Sequence, residues 1–211
     1  MINQTPDDAT ALTVQAQVFD LHGDERWSRS TTTDVYADGV ARLFRVPEPG
    51  GITSTYFVEL TVTDGGGHVV SRNVYWLSTA KERLEWHRST WFFTPTKTYA
   101  DFNALSTLPE VHPQAAACGS TSADGTGKMQ VTVTNDSQDV AFFVRLRLSA
   151  GANDTDVTPV TWSDGYVTLM PGEQQTLTAR YRTADLHGEP PSIELSGWNV
   201  PRSSLPIATC G

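Results

Sequence analysis

The chain has 211 residues, 38% hydrophobic and 18% charged, with a formal net charge of −9 at pH 7. Those proportions exclude a disordered tail and leave room for one large domain or two small ones. Lysine occurs only at positions 81, 97 and 128, which argues against nucleic acid, since phosphate contacts draw on clustered Lys and Arg; no apolar run approaches the ~20 residues of a membrane helix.

The opening "MINQTPDDAT" has neither the basic nor the apolar start of a signal peptide, and suits an internal start or a fragment. From there period-two alternation dominates. "LTVQAQVFDL" places Leu12, Val14, Ala16 and Val18 on one face. "YFVELTVTDGGGHVVSRNVYWLS" predicts a long hairpin, strands over 56–63 and 68–78 around a turn at 64–67. "STAKERLEWHRS" holds helix formers for at most three turns, and "YADFNALSTLP" for one. The strand pattern pauses between about 78 and 113, where Trp86, Trp91, Phe92, Phe93 and Tyr99 are expected to pack between two domains. "KMQVTVTN" and "AFFVRLRLS" predict a second hairpin around "DSQD", and "QTLTARY" and "SIELSGWNV" complete the set. Many short strands with regular turns predict an all-β chain of two immunoglobulin-like β-sandwich domains in tandem, residues 1–94 and 95–211. The echo of "DLHGDE" in "DLHGEP" falls at different points of the two domains and is read as shared turn chemistry.

Several kinds of chemistry lack their parts. There is no G-x-S-x-G elbow, and the five histidines show no metal-binding spacing. Asn153, Asp154 and Asp156 in "GANDTDV" are oxygen donors of the kind calcium accepts, but without EF-hand spacing a solvated turn is the plainer account. No metal or cofactor site is expected. Cys118 and Cys210 admit one disulfide, pointing to an oxidising compartment, or two buried thiols. Glycoside hydrolysis needs two carboxyls ~5–9.5 Å apart across a cleft, whereas Asp64, Asp124 and Asp136 sit where Asp bonds its own backbone. Sugar binding asks less: a flat aromatic and a few polar groups. Trp76 alternates with Val74 and is expected in the core; Trp162 and Trp198 lie near strand ends, where a loop could expose them, although sandwiches commonly bury Trp in their cores. "VTWSDGYVTLMPGE", residues 160–173, predicts a strand, a turn with Gly165 at positive φ, a strand, and a type II turn at Pro171-Gly172. The returning strand turns Leu177, Ala179 and Tyr181 inward.

"VVSRNVYWLS" followed by "STWFFTPTKTYADFNALSTLP" resembles the join between the late domains of exo-β-D-glucosaminidases of glycoside hydrolase family 2. "AFFVRLRL", "PVTWSDGYVTLMPGE" and "SGWNV" are similar to the last immunoglobulin-like domain of those enzymes; Gly165 departs from the pattern, which usually carries Asn. The resemblance implies a secreted bacterial enzyme that releases glucosamine, with retention, from the non-reducing ends of chitosan oligosaccharides. Its catalytic barrel, the partner in cis, lies outside this chain, as does any signal peptide. The chain is then a C-terminal accessory portion that buttresses the barrel and carries no catalytic residue, and its enzymatic standing alone is left open. Trp162, Ser163, Asp164, Tyr166 and Trp198 are candidates for the substrate rim. A free-standing sandwich pair that binds chitosan or chitin is the alternative, and a generic adhesion or spacer protein the third.

Overall fold

A computed structural model describes residues 1–210. Contacts divide the chain after Thr107 into two compact units. Apart from strands, the regular structure among the described residues is three 3-10 turns, Trp86–Arg88, Asn103–Thr107 and Thr183–Leu186. The short helix expected around "AKERLEWHR" is thus one such turn. It buries no residue, and a segment of that length without a buried face does not hold an α-helix.

The first unit contains β1 (Ala9–Phe19), β2 (Glu25–Val35), β3 (Thr55–Thr63) and β4 (Val69–Ser78) in one antiparallel sheet ordered β2-β1-β3-β4. β5 (Arg83–Leu84) pairs separately with β6 (Thr96–Thr98). Alternation makes one face of the main sheet apolar: Val14, Ala16 and Val18 stand opposite Val62, Leu60 and Val58. The other face pairs Gln15 with Thr61 and Gln17 with Glu59, and Arg72 Nε donates to Glu59 Oε1 at 2.6 Å. The hairpin turns are held by carboxylates. Asp20 Oδ1 accepts from the amides of His22 and Asp24, and Asp64 Oδ1 from those of Gly66 and His68. Among the described residues, no regular strand of this unit covers the apolar face. Val46 and Ile52, from irregular chain, lie with Trp27 and Leu60 against a small centre of Val18, Tyr56 and Val58. Residues 95–107, read from sequence as the entry to the second domain, bond to this unit: Thr55 Oγ1 donates to Asp101 O, and the Asp101 amide to Ser78 Oγ.

One expectation about aromatics fails. Trp76 pairs with Phe57 on the face opposite Tyr75 and is 37% exposed; β4 carries apolar residues on both faces, so alternation did not reveal which points inward. Trp86, Trp91, Phe92, Phe93 and Tyr99 are exposed, Trp91 at 93%.

The second unit is a two-sheet sandwich. One sheet holds β9 (Ala141–Ala150), β10 (Thr155–Asp156), β14 (Pro191–Ser196) and β15 (Ser203–Leu205) in the order β10-β9-β14-β15, with β12 (Val167–Leu169) also beside β9. The other is β11-β13-β8-β7-β16, formed by β7 (Gln114–Thr121), β8 (Thr126–Thr134), β11 (Thr161–Trp162), β13 (Gln174–Arg182) and β16 (Ile207–Thr209). Met129, Val131 and Val133 with Leu177, Ala179 and Tyr181 from one sheet share a core with Val144, Leu146, Leu148, Ile193 and Leu195 from the other, as sandwich packing requires. The expected hairpin of "KMQVTVTN" and "AFFVRLRLS" does not form: β8 pairs with β7 and β13, β9 with β10, β12 and β14. "NDSQD" crosses between the sheets instead. Cys118 and Cys210 form a disulfide, tying β16, which runs parallel to β7, into its sheet.

Candidate functional site

Residues 160–173 carry the chain from one sheet to the other. Trp162 pairs with Ala179 on β13 and packs half-buried against the core. Ser163 continues that pairing, its amide donating to Thr178 O and its Oγ accepting from the Thr178 amide. Asp164 Oδ1 accepts from the Gly165 amide at 2.7 Å. The left-handed residue of this turn is Tyr166, φ 57°, and not Gly165. A bulky residue there costs about 1–3 kcal/mol, and stacking explains why it is held. The Tyr166 ring lies 4.6 Å from that of Phe143. Phe143 is itself at φ 57°, where β9 takes one extra residue against β12, the geometry of a β-bulge. The "MPGE" turn follows as expected, with Gly172 at φ 79° and the Met170 amide donating to Glu173 Oε2 at 2.7 Å.

The bulge aligns an aromatic row. From Tyr166 it passes through Phe143 to Phe142 at 5.4 Å, and on to Trp198 at 6.5 Å. Arg145 Cζ sits 5.9 Å from the Tyr166 ring centre, within cation–π range. Tyr166 is 50% and Trp198 60% exposed, while Phe142 is buried. Asn199 fixes the far end: its Oδ1 accepts from the Phe142 amide, and its Nδ2 donates to Val140 O and Pro109 O. Beside Tyr166 opens a hollow of 320 Å³ lined by Trp162, Asp164, Arg145, Arg147 and Asp156. Of the five candidates, then, Trp162, Asp164 and Tyr166 line one hollow and Trp198 ends the row beside it. Ser163 is bonded to the β13 backbone and does not line it.

Charge on the flank of the hollow is matched. Arg147 Nε donates to Asp156 Oδ1 and its Nη1 to Asp154 Oδ2; Arg202 Nη2 reaches both Asp154 and Glu194. The Ser149 hydroxyl and then the Arg147 guanidinium hold the Asp154 carboxyl down at about 2. The loop weighed as a calcium ligand set is therefore an arginine-bridged turn. Glu173 and Asp164 each accept a hydrogen bond from their own turn. Sequence reasoning missed Phe143, Arg145 and Asn199. The doublet "FF" inside an otherwise alternating strand was the available signal, because a break in the period of two marks a bulge.

The model of a family described as the exo-beta-D-glucosaminidase Ig-fold domain matches residues 91–200, and that of the mannosidase Ig/CBM-like domain matches residues 1–82. The chain is 40% identical over 215 aligned positions to the exo-beta-D-glucosaminidase of Amycolatopsis orientalis, covering 100% of this chain and 21% of that protein. Against the enzyme of the same name from Streptomyces avermitilis, identity is 37%, over 99% of this chain and 24% of the relative. The crystal structure of the Amycolatopsis orientalis exo-chitosanase superposes with a TM-score of 0.93 at 40% identity, over 97% of this chain and 24% of that one. The chain thus spans about a fifth to a quarter of the length of these relatives.

Proposed function

The chain belongs to the exo-beta-D-glucosaminidase Ig-fold family, and we propose that it is the accessory, non-catalytic, C-terminal portion of a secreted glycoside hydrolase of family 2 that releases glucosamine from chitosan oligosaccharides. What carries this reading is coverage: nearly the whole chain aligns to about a fifth of each enzyme, and that fifth is β-sandwich. The carboxylates in and around the candidate hollow support it, because they serve turns or arginines. In this reading the sandwiches buttress a barrel that supplies both catalytic carboxyls. The test is complementation. The Amycolatopsis orientalis enzyme lacking its matched region is mixed with this chain and a chromogenic glucosaminide. Turnover only in the mixture supports the reading; turnover by this chain alone overturns it.

The row Tyr166–Phe143–Phe142–Trp198 favours a second role, contact with sugar at the rim of the barrel's site. An exposed aromatic suits a pyranose face, and Asp164 beside it suits an amino sugar's ammonium. Calorimetry with chitosan oligosaccharides separates the cases. A rim contact gives weak binding to the isolated chain, reduced roughly two- to tenfold by Tyr166→Ala or Trp198→Ala. Micromolar binding abolished by either change makes the chain a free-standing binding module instead.

A further inference from the structure

The hollow beside Tyr166 differs from its flank in how its polar groups are used. On the flank, Arg147 is matched by Asp154 and Asp156, and Arg202 by Asp154 and Glu194. Three groups lining the hollow are not matched in this way. Among the described residues, the Arg145 guanidinium lies against the Tyr166 ring and has neither a carboxylate nor a carbonyl as partner. The Trp162 indole N–H has no protein acceptor. Asp164 Oδ1 takes the Gly165 amide, and its Oδ2 has no protein donor. All three are carried on or beside paired strands, Arg145 opposite Ser196 and Trp162 opposite Ala179. The floor between them is apolar, made of Leu146, Leu148, Val157 and Leu177.

Two donors, one acceptor and an apolar floor select among ligands. A carboxylate or phosphate satisfies the donors but sets its charge against Asp164 and Asp156, in a chain of net charge −9. An ammonium suits Asp164 but stands beside a guanidinium that nothing neutralises. A secondary amide bearing a methyl group meets the whole set. Its carbonyl accepts from Arg145 and Trp162, its N–H donates to Asp164 Oδ2, and its methyl lies on the leucine floor. A ligand without the carbonyl forgoes a charge-assisted hydrogen bond, the stronger kind. Tyr166, 50% exposed beside the opening, offers a flat face to a pyranose carrying that amide. The volume of 320 Å³ is at the small end of ligand pockets, about 300 Å³, which suits one sugar unit and not a run of them.

We propose that the hollow is a subsite for the 2-acetamido group of one N-acetylglucosamine unit in a partly acetylated chitosan chain. Arg145 and Trp162 donate to the acetyl oxygen, and Asp164 accepts the amide N–H. The inference rests on the reading of Tyr166 as a sugar contact and adds a preference to it: this point of the surface selects an acetylated unit over a free amine. Asp164 alone serves either unit. Arg145 sets the preference, because an unpaired guanidinium attracts a carbonyl and repels an ammonium. Tyr166 then has two duties, the sugar face and the cation–π contact that keeps the guanidinium at the opening.

The test titrates the nitrogen-15-labelled 211-residue chain with the fully N-acetylated glucosamine trimer and, separately, with the fully deacetylated trimer, followed by NMR. The acetylated trimer is expected to bind about threefold or more tighter, with movement of the Trp162 indole N–H and Gly165 amide signals. Arg145→Met should weaken the acetylated trimer roughly tenfold and erase the preference; Arg145 is exposed, so the fold tolerates the change. Trp162→Phe, which keeps a ring against the core, should weaken it roughly three- to tenfold. Lys128→Met, exposed on β8 of the other sheet, should change neither trimer. Equal or tighter binding of the deacetylated trimer overturns the subsite and leaves the sugar contact at Tyr166 standing. So does a preference that survives Arg145→Met, or acetylated-trimer binding that leaves the Trp162 indole signal in place. Binding of neither trimer overturns the subsite and the sugar contact together.

Discussion

Replacing Asn135 by Asp tests whether that side chain clamps the two sheets of the second unit in register. The side chain is fully buried. Its Nδ2 donates to the carbonyls of Asp139 at 2.8 Å, Leu169 at 3.0 Å and Met170 at 3.2 Å. Aspartate keeps the shape and removes both hydrogens, leaving those carbonyls facing a carboxylate. A buried acceptor stripped of its donor costs about 1–3 kcal/mol, so two lost bonds cost roughly 2–6 kcal/mol. At about 4–8 °C per kcal/mol for a domain of this size, calorimetry at pH 7 should show the second unit melting at least about 8 °C lower. The introduced oxygen in the Nδ2 position faces three carbonyl acceptors in a buried site, and these with burial favour the protonated form over the two Ser137 donors at Oδ1. The deficit is therefore full above its raised folded pKa and shrinks as pH falls through it, when the acid donates one bond again. Ser137→Ala, which removes one donor to Oδ1, should cost no more than about 0.5–1.5 kcal/mol. A melting point within about 2 °C of the parent for Asn135→Asp refutes the clamp.

Three further outcomes follow from the geometry. The disulfide spans 92 residues of sequence, so chain entropy puts the cost of Cys118→Ser/Cys210→Ser at ~4.6 kcal/mol, read from the urea midpoint of the second unit; an unchanged midpoint counts against it. A Cβ at Gly127 would stand 2.6 Å from Tyr181 Cε2, so Gly127→Ala should cost about 1–3 kcal/mol by overpacking. Gly165→Ala, with nothing within 4 Å of its Cβ, should stay within about 0.5 kcal/mol; comparable melting points for the two variants contradict this. The fold holds the Asp154 carboxyl down at about 2, below the ordinary aspartate range. The hold of its carboxylate on the 151–156 turn is then full above about pH 4 and is lost as pH falls toward 2. NMR shifts of the turn amides should follow that window in the parent chain but not in Asp154→Asn.

The strands were legible where one face is apolar and the turns are marked. Leu12, Val14, Ala16 and Val18 are buried together, and the hairpin expected over 56–63 and 68–78 is β3 and β4. Partners were not legible. "NDSQD" between two alternating runs has the length of a hairpin loop, but what decides its course is an amide reaching carbonyls 34 and 35 residues away. No local pattern contains that bond. Trp76 failed for a related reason: a strand apolar on both faces has a period but no phase, and only the opposite layer tells inside from outside.

At the candidate site the same competition was decided by packing. Turn chemistry assigns positive φ to glycine, and Gly165 was available, yet Tyr166 takes the strained conformation because only there does its ring reach Phe143. Strings of identical letters were a poorer guide than spacing. "DLHGD" and "DLHGE" share four letters, but Asp20 closes a hairpin and Asp185 sits in a 3-10 turn bonded to Arg182. "NQTPD" and "NDSQD" share two letters and build one device: an amide at the first position, a hydroxyl at the third, and a carbonyl at the fifth that accepts from both. A repeat sought as donors and acceptors at fixed intervals would have aligned the two units from sequence.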